Sequence, residues 1–101
     1  MTHDNIAEVE IDEVGHLRIR PEVATFPYIY REAMEVSWHQ EDKVLYSPKP
    51  RDWHYGRWFE QILSAASEQG CKLSLTTNTK WRNVDEQIKE EILNAFQSPK
   101  S

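Results

Sequence analysis

Three glycines in 101 residues leave little from which to build a backbone loop around a phosphate, and no nucleotide-binding glycine motif occurs. One cysteine, Cys71, excludes an internal disulfide and agrees with a reducing compartment. No apolar run approaches the ~20 residues of a membrane-spanning helix, and the opening Met-Thr-His-Asp-Asn lacks the basic and apolar regions of a secretory signal. A cytoplasmic location is therefore expected. Positive charge is also short: 12 Lys and Arg against 17 Asp and Glu leave −5, which disfavours phosphate backbones and anionic lipid. Neither nucleic acid nor membrane is an expected partner.

What is present is the mixture of one globular domain, 39% hydrophobic and 29% charged, with the polar ends 1–6 and 97–101 expected to fray. Val9 and Ile11, then Leu17 and Ile19, alternate around Gly15 as a hairpin. Phe26, Ile29, Tyr30, Ala33 and Met34 have the spacing of a short helix, with Thr25 able to cap it. Val36 and Trp38, a polar turn over 40–43, and residues 44–47 read as a second hairpin. Tyr55, Trp58, Phe59, Ile62, Leu63 and Ala66 keep one apolar stripe ahead of Gly70, predicting a helix over 52–69 with Asp52 as its N-cap. A strand over 71–77 follows. Asn83 and Glu86 have capping-box spacing before a helix that buries Val84, Ile88, Ile92 and Phe96. The expected fold is α+β, a single domain of order β-β-α-β-β-α-β-α, with a small mixed sheet and helices packed on one face.

The search for catalytic patterns is largely negative. Paired cysteines, His-x-x-x-His spacing and a Gly-x-Ser-x-Gly elbow are missing, so no catalytic residue, metal or cofactor is assigned. His3, His16, His39 and His54 fall in four separate segments. Cys71 alternates with Leu73 and Leu75 and reads as core, where a thiol without a cationic neighbour is inert. Glu35, Ser37 and His39 share a strand face, more simply the solvated side of a sheet than an acid, hydroxyl and base around a cavity.

The stretch "YSPKPRDWHYGRW" stands out. Asp52, Tyr55, Trp58 and the prolines are accounted for by starting a helix and burying its face, whereas Lys49, Arg51, Trp53 and His54 are not. If the strand before this helix and the strand after it are parallel, both following loops lie at one sheet edge, adding Asn78, Lys80, Trp81 and Arg82. Trp53 and Trp81 lie off their helices' apolar stripes and beside bases, so these eight residues form the expected ligand-binding or partner-binding edge.

"FPYIYREAMEVSW", "LYSPKPRDW" and "CKLSLTTNTKWRN", in that order, resemble a family of small bacterial proteins carried on integron gene cassettes. The resemblance covers about Val9 to Ile92, and Tyr-Ser-Pro-Lys-Pro-Arg is its most specific piece. It implies a soluble α+β protein from a mobile element, one of a kind that often forms oligomers, and supplies no catalytic motif. The functional expectation is a non-enzymatic accessory protein, a homodimer, that binds a partner protein or small ligand. The alternative is a small hydrolase or transferase acting on an anionic substrate, with His54 as acid or base but no evident orienting partner.

Overall fold

The computed structural model describes residues 2–32, 35–47 and 54–97. Strands β1 (Thr2–Ile11) and β2 (Leu17–Pro21) form the expected antiparallel hairpin, with Val9 opposite Ile19 and Ile11 opposite Leu17. Its turn is built by one carboxylate. Asp12 Oδ1 accepts the backbone N–H groups of Val14, Gly15 and His16 at 3.0, 2.9 and 2.9 Å, while Gly15 supplies a φ of 102° that a side chain would oppose. Burial alone would raise the Asp12 carboxyl; the His16 amide and ring and the Gly15 and Val14 amides outweigh it and hold the group below the usual carboxylate range. Residues 2–6, read from sequence as a polar end, instead form the first half of β1. A strand distant in sequence supplies their partners, with Thr2 opposite Cys71 and Asn5 opposite Ser74.

The helix expected around Ile29 and Tyr30 is a single 3-10 turn, Ile29–Arg31. Phe26 and Ile29 are buried, whereas Tyr28 and Tyr30 are exposed, so the apparent stripe amounts to one turn of inward residues. Ala33 and Met34, which also carried that expectation, lie outside the described residues. The second hairpin follows as β3 (Ser37–His39) and β4 (Val44–Tyr46), its turn closed by Lys43 at φ 56°. Helix α1 (Tyr55–Glu68) then runs to Gly70 at φ 93°, and β5 (Cys71–Ser74) is shorter than expected. A sixth strand, β6 (Lys80–Arg82), forms where a loop was expected, and α2 (Glu86–Gln97) ends the described chain.

The six-stranded mixed sheet has the order β3-β4-β2-β1-β5, and β6 also pairs with β1. Since β1 is antiparallel to β2 and β2 to β4, while β5 and β6 run parallel to β1, strands β4 and β5 are parallel. They are separated by β2 and β1, however, a gap of roughly 14 Å at the usual strand spacing. The segment after β5 does not leave the sheet as a terminal loop. It bows outward over 75–79 and rejoins β1 as β6. Thr79 fastens the bow: its hydroxyl donates to the Ile6 carbonyl at 2.6 Å and accepts the Thr76 N–H at 3.0 Å.

Register assigns the two sheet faces. Leu45, Ile19, Val9 and Trp81 stand in one row across β4, β2, β1 and β6, and Tyr46, Arg18, Glu10 and Arg82 stand in the next. The first row belongs to the core, with Phe59 and Ile62 of α1 and Ile92 of α2. The second row lies on the opposite face, whose charged contacts include Arg18–Asp42 at 2.5 Å and, in a further row, Arg20–Glu8 at 3.2 Å. Each pair keeps one member exposed to solvent, and ion pairs at a protein surface are worth about 0–1 kcal/mol each.

Candidate functional site

Of the expected edge residues, Lys49, Arg51 and Trp53 lie outside the described residues, as do Pro48, Pro50 and Asp52. The other five are divided among three places. His54 immediately precedes α1, 71% exposed at its side chain, with Nδ1 2.9 Å from Glu91 Oε1. The same Glu91 oxygen accepts the Gly56 N–H at 2.9 Å. A carboxylate from α2 therefore satisfies one of the open amides at the α1 N-terminus and orients the histidine. Asn78 is exposed on the 75–79 bow, its N–H donated to Thr76 Oγ1 at 3.1 Å. Lys80 and Arg82 alternate with Trp81 along β6, and the period of two sends them to opposite faces of the sheet. Arg82 Nε lies 3.7 Å from Glu8 Oε2 on the charged face.

Trp81 goes the other way, beneath α2, and lines a cavity of about 530 Å³. Leu75, Leu93 and Phe96 supply further apolar wall, Thr76, Thr77 and Thr79 line the side made by the bow, and Lys89 of α2 also borders the cavity. The Lys89 ammonium sits 5.3 Å from the Trp81 ring centroid, a cation–π contact of about 0.5–1 kcal/mol when exposed and more when dry. Among the described residues no carboxylate lies within 4 Å of that ammonium. The volume falls in the roughly 300–1,000 Å³ range of small-molecule pockets.

Lys89 and Thr77 were not singled out from sequence. Lys89 sits on a helix face whose partner depends on where β6 rejoins the sheet, and nothing local announces that. Glu91 was missed for the same reason, since 37 residues separate it from His54. The expected capping role of Asn83 is not observed: its φ is 56°, and its side chain donates to the Ile11 carbonyl at 2.7 Å, fastening the end of β6 to β1.

Two other surfaces carry exposed rings or clustered charges. Val23, Tyr28 and Tyr30 are exposed large apolar side chains within eight residues, and the Arg31 guanidinium lies 5.0 Å from the Tyr28 ring centroid. On the charged sheet face, Asp12, His16, Arg18, His39 and Tyr46 line a depression of about 190 Å³. Asp42 there is held below the usual carboxylate range chiefly by its hydrogen bond from Arg18. No group of three or more His, Cys, Asp or Glu is placed to hold a metal ion among the described residues. Among those residues no helix is long and apolar enough to cross a membrane.

The fold defines a small single-domain α+β protein, and the depressions among its described residues include one between the second helix and the bowed strand connection. Residues 4–79 match the family described as Integron Cassette Protein Hfx_Cass5, and the chain belongs to that family. A solved structure, "Structure from the mobile metagenome of North West Arm Sewage Outfall: Integron Cassette Protein Hfx_Cass5", is 47% identical, with 97% of this chain and 99% of that chain covered and a TM-score of 0.49. Among curated proteins none matches.

Proposed function

We propose that this integron cassette protein is a non-enzymatic accessory protein that binds a small ligand in the cavity beneath α2. The supporting observation is the Trp81–Lys89 pair, an aromatic face and an ammonium with no carboxylate partner among the described residues, at a cavity whose walls include Leu75, Leu93 and Phe96. Lys80 and Arg82 of the sequence-derived edge lie on the sheet face opposite this cavity, in the charged surface around Glu8. The test is a fragment library screened by amide chemical-shift mapping. Binders should move the amides of Leu75, Thr77, Lys89 and Leu93, and Trp81→Phe should weaken them at least several-fold while preserving the dispersed spectrum. Binders that consistently map elsewhere, or retain full affinity for the variant, refute the proposal.

A second reading, hydrolysis or group transfer with His54 as acid or base, is favoured by one contact. Glu91 supplies the orienting carboxylate at Nδ1 that the sequence did not reveal, leaving Nε2 on an exposed ring. In a phosphatase and esterase screen this reading requires turnover that His54→Gln abolishes and Glu91→Gln lowers by about 10²-fold, in the range of general acid–base contributions. Turnover unaffected by His54→Gln, or none at all, removes it.

A further inference from the structure

We infer that the cavity beneath α2 takes a monocarboxylate carried on an aromatic or branched aliphatic body. This rests on the reading of that cavity as a ligand site and specifies the ligand's chemistry. Thr79 is spent on Ile6 and Thr76, and Thr76 on the Asn78 amide, so both hydroxyls serve the bow itself. Thr77, exposed on the bow, makes no hydrogen bond among the described residues, and among those residues the Lys89 ammonium meets the Trp81 ring and no carboxylate. One ammonium and one hydroxyl are thus left at a cavity otherwise walled by Leu75, Trp81, Leu93 and Phe96.

That inventory selects the ligand. A charge half withdrawn from water gains from an opposite charge or a hydrogen-bonding partner, and a single ammonium matches one negative charge. A phosphate monoester would bring about two, leaving excess negative charge in a protein already at −5 and without a guanidinium among the lining residues. A carboxylate balances Lys89, accepts from Thr77, and leaves its apolar body to Leu75, Leu93 and Phe96. A cationic ligand would be repelled by Lys89, while an uncharged one would leave the ammonium on the aromatic ring alone.

2-Naphthoate and 2-naphthamide serve as probes, identical in body and different in charge, titrated into the full chain with amide shifts as readout. Naphthoate should bind at least tenfold more tightly, and Lys89→Gln should reduce that preference to about twofold without weakening the naphthamide. Raising the salt should narrow the preference in the wild type as screening grows. Equal affinities for the two probes at the cavity amides, or a preference that survives Lys89→Gln, would overturn the carboxylate assignment while leaving a ligand cavity in place. If neither probe moves the cavity amides, both the assignment and the site reading beneath it fall. Lys89 is half-buried and its replacement by Gln keeps the stem that covers Trp81, so folding is checked directly from the dispersed spectrum.

Discussion

Replacement of Phe59 by alanine is expected to cost about 3–5 kcal/mol, the range for emptying a buried phenylalanine site. Phe59 is 0% exposed at the second turn of α1, packs in the main core cluster, and meets Phe96 of α2 edge to face with ring centroids 6.3 Å apart. The substitution therefore removes part of the packing of α1 on the sheet and one of the rings joining the two helices. It also enlarges an existing groove, since Phe59 lines an open depression with Leu63, Leu73, Ala95 and Phe96, so the site cannot refill by a small shift of one neighbour. A domain of this size has roughly 5–15 kcal/mol in total, so the variant should unfold at a much lower urea concentration with a similar m-value, and its melting temperature should fall by roughly 10–30 °C. A loss below about 1 kcal/mol would show that the α1–sheet contact is not the stabilising centre.

The second large effect is expected at Gly56, where α1 meets Glu91 of α2. A Cβ built there would stand 3.0 Å from Glu91 Cγ and 3.1 Å from the Glu91 carbonyl oxygen. The first atom belongs to a side chain that can rotate. The second is backbone within α2 and retreats only if the helix moves. Glycine inside a helix costs about 1 kcal/mol relative to alanine, so Gly56→Ala opposes a propensity gain to the clash, whereas Gly56→Val adds two methyl groups and little propensity. Gly56→Val should destabilise by about 1–3 kcal/mol and displace Glu91 from the Gly56 amide and from His54. The check is paired: a urea midpoint shift, and a change in the His54 imidazole resonances. A stable variant with an unchanged His54 signal would mean that the helix crossing tolerates the side chain.

Both effects concern α1, the element most legible in the sequence. Of its apolar stripe, Trp58, Phe59, Ile62 and Ala66 are buried and Tyr55 and Leu63 partly so, and Gly70 takes the left-handed conformation expected at its end. The first hairpin was equally legible, because alternation at Val9, Ile11, Leu17 and Ile19 and a glycine between the runs are local signals. The helix expected at 26–34 failed because helical spacing over two buried positions, Phe26 and Ile29, is also satisfied by one 3-10 turn, and Tyr30 found no surface to cover. Strand β6 was illegible for a different reason. Three residues carry too little alternation to read, and Lys80–Arg82 is a strand only because β1 offers Glu8, Val9 and Glu10 as an unpaired edge.

The candidate site follows the same division. Trp81 was noticed as a large ring without a place on a helix stripe, and it does line a cavity. Its bases were misjudged, since Lys80 and Arg82 stand on the opposite face and the cation over the ring is Lys89. By itself the sequence determined membership of an α+β class with a core assembled from periodic apolar runs, because local spacing and turn residues are sufficient for that. Only the tertiary structure decided that the connection after β5 bows and returns to β1, that Glu91 reaches His54, and that Lys89 lies over Trp81. Each of these joins residues whose meeting depends on how helix and strand pack, a property that no local periodicity encodes.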